Sequence, residues 1–253
     1  MRLGLCQYDI AWEDKEANKR RIEELVAARP RREEIDWLVF SEMCLTGFTM
    51  DAELAELSDA DRSFFAGLAA RLGCNLSYGG VEGGCNKLIT LDREGRRVSE
   101  YAKIHLYSFG EEDKHYRAGS SPVIFELEGL RVAPAVCFDL RFPYLFWSQA
   151  PRVDLFLVVA AWPARRAEHW RGLLYARAVE NQAYCAGVNR LGREGKLEFS
   201  GGSACFDPLG KVVADSGSAE GICLAELPLD PALVARTRER FPFLGERRDL
   251  GWG

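Results

Sequence analysis

Long hydrophobic runs are missing from this 253-residue chain: the most apolar stretch, residues 155–162, has only eight residues. A membrane-spanning helix needs roughly 20, so the chain reads as a soluble one with no membrane partner. An excess of positive charge is missing too. Thirty-three Lys and Arg face 38 Asp and Glu, a formal charge of -5, which gives no basic footprint for a phosphate backbone and argues against nucleic acid as the main partner. The eight cysteines, at 6, 44, 74, 85, 137, 185, 205 and 223, are never closer than 11 residues. Without a Cys-x-x-Cys pair, zinc ribbons and thioredoxin chemistry are disfavoured, and most of the eight are expected to be buried, inert packing groups. Histidine is scarce: only His105, His115 and His169 occur, and structural roles are expected of all three. The first residues, Met1 to Asp9, carry neither a signal-peptide stretch nor an Arg-rich presequence, so a cytoplasmic address is expected.

No linker rich in Pro, Gly or Ser and no internal repeat divides the chain. A chain of this length can bury roughly 70–75% of its unfolded surface, so one α/β domain over residues 1–253 needs no disulfide or metal to hold its core. Short apolar runs predict strands at 2–7, 37–40, 76–81, 87–91, 97–101, 123–127, 130–136, 154–161, 184–189, 202–207, 211–214 and 222–227. Apolar residues at helical spacing predict helices over 12–28, closed by Pro30, over 52–72, stopped by Gly73, and over 168–182.

Three of these strands end in residues that can do chemistry: Glu42 after 37–40, Lys103 after 97–101 and Cys137 after 130–136. Strand ends of layered α/β folds meet at one edge, where ligands tend to bind. A free thiol is only a few per cent thiolate at neutral pH, so a cysteine nucleophile needs a base or a lowered pKa. Glu42 can be that base, and Lys103, with the backbone N-H of Phe138, can steady the oxyanion of a tetrahedral intermediate.

Phe40-Ser41-Glu42-Met43, Tyr101-Ala102-Lys103-Ile104-His105-Leu106 and Val136-Cys137-Phe138-Asp139-Leu140-Arg141-Phe142-Pro143 resemble, in order, the three catalytic blocks of the carbon-nitrogen hydrolases of the nitrilase superfamily. The likeness runs on through Ala160-Ala161-Trp162-Pro163 and Asp207-Pro208-Leu209-Gly210 to the tail Arg247-Arg248-Asp249-Leu250, nearly the whole chain. It implies a four-layer α-β-β-α sandwich, with Cys137 as nucleophile, Glu42 as base and then acid, and Lys103 as stabiliser of the intermediate. Many members carry a second glutamate seven residues before the glycine that closes the loop after the lysine; counted from Gly119 this is Glu112, with Glu111 beside it. Two departures stand out: Ser41 replaces the usual proline before the base, and the loop of residues 111–116 differs from many branches, so substrate preference is expected to differ with it.

Within the superfamily, Gly47-Phe48-Thr49-Met50, the block at Cys137 and Ala161-Trp162-Pro163 look most like the ω-amidases, which hydrolyse the terminal amide of short 2-oxo acid amides such as 2-oxoglutaramate. A small substrate bearing a carboxylate would want a wall, offered by Trp162, and a basic group, offered by Arg165 or Arg166. Arg141, Asp139, Arg177 and Glu180 are expected to form a structural ion-pair framework instead. Small amide and water are the expected partners, with no cofactor and no metal. The alternatives are an N-carbamoyl amine or amino-acid hydrolase, another small amidase, or a silent binding module. The last is disfavoured because all three catalytic residues are present. The resemblance further implies a homodimer paired across a helical face, with the tail of residues 237–253 contributing contacts.

Overall fold

The structure, a computed structural model, describes residues 1–28, 35–225 and 230–248. In chain order the first half runs β1 (Leu3–Gln7), α1 (Lys15–Ala28), β2 (Trp37–Phe40), α2 (Ala52–Ala55), α3 (Asp59–Leu72), β3 (Asn75–Glu82), β4 (Cys85–Leu91), β5 (Arg97–Ala102) and α4 (Glu112–His115). The second half runs β6 (Phe125–Leu127), β7 (Leu130–Val136), α5 (Pro143–Trp147), β8 (Leu155–Ala160), α6 (Ala167–Asn181), β9 (Tyr184–Asn189), β10 (Leu191–Glu194), β11 (Leu197–Ser200), β12 (Ala204–Phe206), β13 (Val212–Asp215), β14 (Gly221–Ala225) and α7 (Pro231–Arg240).

Two six-stranded sheets result, ordered β14-β1-β2-β3-β4-β5 and β13-β12-β9-β8-β7-β6, each with three parallel strands in the middle and antiparallel strands outside. The central strands read as unbroken apolar runs because both of their faces are covered. Alternation decides which cover each side chain meets. On β2, Trp37 and Val39 enter the core between the sheets, and Leu38 and Phe40 the core under the outer helices, with Ile22 and Val26 of α1 and Phe65 and Leu68 of α3. On β8, Leu155, Leu157 and Val159 face the other sheet while Phe156, Val158 and Ala160 pack with Leu145 of α5 and Trp170, Leu174 and Ala178 of α6. Helix, sheet, sheet and helix therefore stack as the expected four-layer sandwich.

Several boundaries differ from the sequence reading for local reasons. The helix expected over 12–28 starts at Lys15 because the Asp14 carboxylate accepts from the Ala17 N-H; Pro30 lies outside the described residues. The helix expected over 52–72 is two helices. The Leu57 N-H donates to the Val81 carbonyl at 2.8 Å, pulling the chain onto β3, and Ser58 with Asp61 forms a capping box that restarts the helix. Its stop at Gly73 is as expected, in the left-handed conformation. The hairpin of β10 and β11, too polar to read as strands, and the helix α7 had no signal strong enough to find. Residue 227, the expected end of the last strand, lies outside the described residues.

The topology brings several strand ends to one edge. β2, β7, β8 and β9 are parallel members whose carboxyl ends lead into Glu42, Cys137, Trp162 and Arg190. Two antiparallel steps through β4 return β5 to the direction of β3, so Lys103 emerges at the same edge, and the first residues of β4, including Asn86, begin there. Gly79 on β3 makes room for this convergence: a Cβ on it would lie 2.5 Å from the Glu42 Cα and 2.6 Å from the Ser41 carbonyl. Gly79→Ala is therefore expected to lower stability by about 1–3 kcal/mol, read as a reduced urea midpoint with an unchanged slope.

Candidate active site

Glu42, Lys103 and Glu112 are fully buried at this edge, with the lysine bonded to both carboxylates. The Lys103 Nζ donates to Glu42 Oε1 at 3.0 Å and to Glu112 Oε1 and Oε2 at 3.0 and 2.8 Å. Asn86 Nδ2 donates to the same two carboxylates, at 2.8 Å to Glu42 and 2.9 Å to Glu112. Backbone groups complete the set: the Ala161 N-H reaches Glu42 Oε2 at 2.8 Å and the Tyr107 N-H reaches Glu112 Oε2 at 2.7 Å. Burial alone would lower the Lys103 pKa, but Glu42 and Glu112 outweigh it and raise the value, so the ammonium is fixed. The Phe48 ring lies 5.2 Å from the same Nζ. Of the two adjacent glutamates, Glu112 is the one that turns inward; Glu111 is exposed and pairs with Lys114 at 2.6 Å.

Cys137 begins the turn that follows β7, with φ of +45°, a conformation that costs a non-glycine residue energy and is held only where its surroundings over-determine it. Fully buried Asp139 supplies much of that constraint. It accepts from the Val136 N-H at 3.0 Å and the Tyr101 hydroxyl at 2.8 Å through one oxygen, and from the His105 N-H at 2.9 Å through the other, which also meets His105 Nδ1 at 2.7 Å. One carboxylate thus ties the exit of β5, which carries Lys103, to the exit of β7, which carries Cys137. Burial pushes the Cys137 thiol well above its ordinary range, and Glu42 and Glu112 push further than Lys103 pulls back. Glu42 faces this thiol, where a carboxylate can take a proton from sulfur. The N-H of Phe138 belongs to the same turn.

These groups open into a cavity of about 640 Å³. Trp162, Arg165 and Arg166 all line it, as the sequence suggested. Trp162 is also core: only 3% exposed, it is held by Asn189 Oδ1, which accepts its N-H at 2.7 Å, and by its indole N-H donating to the Arg166 carbonyl at 2.9 Å. The expected ion-pair framework is half correct. Arg177 pairs with Glu180 at 2.7 Å, but Arg141 joins no carboxylate among the described residues. It lines the cavity 4.7 Å from the Trp162 ring, and burial, with Arg166 beside it, pulls its pKa down. Asn86, Asn189, Tyr107 and Glu194 were also missed, because a lone polar residue in or beside a strand has no spacing to betray it. Among the described residues, no cluster of His, Cys, Asp and Glu could hold a metal, and no helix is long and apolar enough to cross a membrane. Alkylation of Cys137 by iodoacetamide at neutral pH is expected to slow at least about tenfold in Glu42→Gln, followed by the mass of the Cys137 peptide; an unchanged rate would mean a preformed thiolate.

Residues 2–238 match the sequence profile of the family described as carbon-nitrogen hydrolase. An omega-amidase YafV of Yersinia enterocolitica is 36% identical over 250 residues, covering 96% of this chain and 94% of its own. A 2-oxoglutaramate amidase of Bacillus subtilis is 32% identical over 259 residues, covering 98% of both. Among solved structures, XC1258 of Xanthomonas campestris, a CN-hydrolase superfamily protein, superimposes with a TM-score of 0.88 at 31% identity, covering 100% of this chain and 99% of that one. An amidase of Nesterenkonia sp. gives 0.83 at 29% identity, covering 98% and 93%. With a matching profile over most of its length and relatives of this identity, the chain belongs to the carbon-nitrogen hydrolase family.

Proposed function

We propose that the protein hydrolyses the terminal amide of a small 2-oxo acid amide, of the 2-oxoglutaramate type, to the acid and ammonia. The observation that carries the substrate class is the cavity wall of Arg141, Arg165 and Arg166, none of which pairs with a carboxylate among the described residues. Guanidinium groups left without carboxylates beside a reactive thiol suit a substrate that brings its own. Relatives named omega-amidase and 2-oxoglutaramate amidase support the same class.

The chemistry follows from the site. Cys137 Sγ attacks the amide carbon as Glu42 takes the thiol proton, and Lys103 with the Phe138 N-H receives the oxyanion. Glu42 returns that proton to the nitrogen, the C-N bond breaks, ammonia leaves, and a thioester remains. Water then attacks the thioester with Glu42 taking its proton, and collapse releases the acid while the sulfur recovers the proton. Glu112 holds Lys103 in place throughout. The exposed aromatic side chains Tyr144, Trp147, Tyr175, Phe241 and Phe243 support pairing of two copies across the face of α5 and α6, with the tail beside it.

Ammonia release from 2-oxoglutaramate and 2-oxosuccinamate is expected to exceed that from propionamide and from N-carbamoyl amino acids; equal rates on simple amides would overturn the substrate class. Cys137→Ala is expected to abolish turnover. Arg166→Ala is expected to raise KM for the 2-oxo acid amides at least about tenfold while leaving neutral amides little changed.

A further inference from the structure

The cavity wall also contains a carboxylate that the reaction above does not use. Glu194 ends β10 and lines the cavity, its side chain 12% exposed. Arg190, fully buried, donates to it at 2.9 Å, and the N-H of Phe48 favours the charge on the same carboxylate. Phe48 carries the ring that lies 5.2 Å from Lys103 Nζ. Arg190 is anchored in its turn: it donates to the Ile10 carbonyl at 2.9 Å and lies 4.5 Å from the Phe199 ring of β11. Gly47, at φ +76°, gives it space, since a Cβ there would sit 2.9 Å from Arg190 Nη1. The Arg190 and Glu194 pair thereby joins the chain after β1, the loop after the base and the hairpin of β10 and β11.

We propose that Glu194 is a positioning residue for amide hydrolysis: its ionised carboxylate, through Arg190 and the Phe48 N-H, holds the Phe48 ring against Lys103 and so keeps water from the ammonium that steadies the oxyanion. The inference rests on the amidase reading of the site. An aromatic face next to a desolvated ammonium is attractive, and the same ring excludes the water that would weaken the charge. Protonation would remove the charge that Arg190 pairs with and weaken the acceptor for Phe48. The groups facing Glu194 set when this happens. Arg190 favours the ionised form, as does the Phe48 N-H, while Glu42 opposes it. Asp9 lies beside Arg190, and Glu13, Asp51, Lys103, Arg165 and Arg166 share the cavity. Burial is the largest influence and raises the Glu194 pKa to about 7. The ionised form therefore dominates above that value and is lost as pH falls through it.

Glu194→Gln keeps the shape and fixes the neutral state. The ratio of wild-type to variant kcat on 2-oxoglutaramate should climb from about 1 near pH 5 to about 10 near pH 9, with its midpoint close to 7 and KM little altered. Iodoacetamide alkylation of Cys137, which forms no oxyanion but senses the same ammonium through its pull on the thiol, should follow the same ratio. Because alkylation needs no substrate, a failure to turn over 2-oxoglutaramate would sink the substrate class while this readout still decides the role of Glu194. Phe48→Leu should lower wild-type kcat at alkaline pH to the level of Glu194→Gln, and the double variant should be no worse than either. A ratio that is flat with pH, or effects of the two substitutions that add, would overturn the proposal. Were Glu194→Gln not to fold, an unaltered pH profile in Phe48→Leu would overturn it as well.

Discussion

Lys103 carries a positive charge at a point with no solvent exposure, and such a charge is tolerated only when it is paired and hydrogen-bonded. Its three bonds go to Glu42 and Glu112, and those carboxylates, equally buried, need donors of their own. Asn86, the Ala161 N-H and the Tyr107 N-H provide them. One desolvated ammonium thus requires contributions from the exits of β2, β5 and β8, the start of β4 and the turn before α4. Two sheets packed face to face, with parallel central strands ending at a shared edge, can deliver all of these at one point. This is why the residues are scattered through 120 positions of sequence, from Glu42 to Ala161, and still meet.

Cys137 answers to the same constraint from the other sheet. Cys137 sits in an unfavourable backbone conformation immediately after β7, and Asp139 fixes that turn against Tyr101 and His105. Strain of this kind survives because the bonds around it are made by elements that cannot yield: two strands and a buried carboxylate. Burial raises the pKa of the sulfur well above its ordinary range. Glu42 lies against both the lysine and the thiol.

Around this rigid floor the cavity wall is built from less regular chain. The loop after Glu42 brings Phe48, the turn before α6 brings Arg165 and Arg166, and the hairpin of β10 and β11 brings Glu194, Leu197 and Phe199. The wall is charged in both senses. The arginine side is short of carboxylates, whereas Glu194 is bound to a buried arginine of its own. Strand ends hold the buried charges and loops build the wall around them, a division that in general lets one constellation serve several substrates.

Elements whose signals are local can be read from residue order alone. Continuous apolar runs mark β2, β7, β8 and β9 because both faces of those strands are covered, and helical spacing marks α6 to within a residue and the ends of α1 and α3, though not their starts. Residue order also offered Glu42, Lys103 and Cys137 as strand-end residues, and resemblance supplied their order and the count to Glu112. Features that depend on distant partners emerge only when the chain is folded. Glu112 rather than Glu111 turns inward because only it can reach Lys103. Arg141 faces the cavity instead of an ion pair, and the helix after Ala52 breaks because a strand 24 residues on, through Val81, takes the N-H of Leu57. Periodicity reports which face of an element is covered; it carries no information about which polar group, far along the chain, will be waiting there.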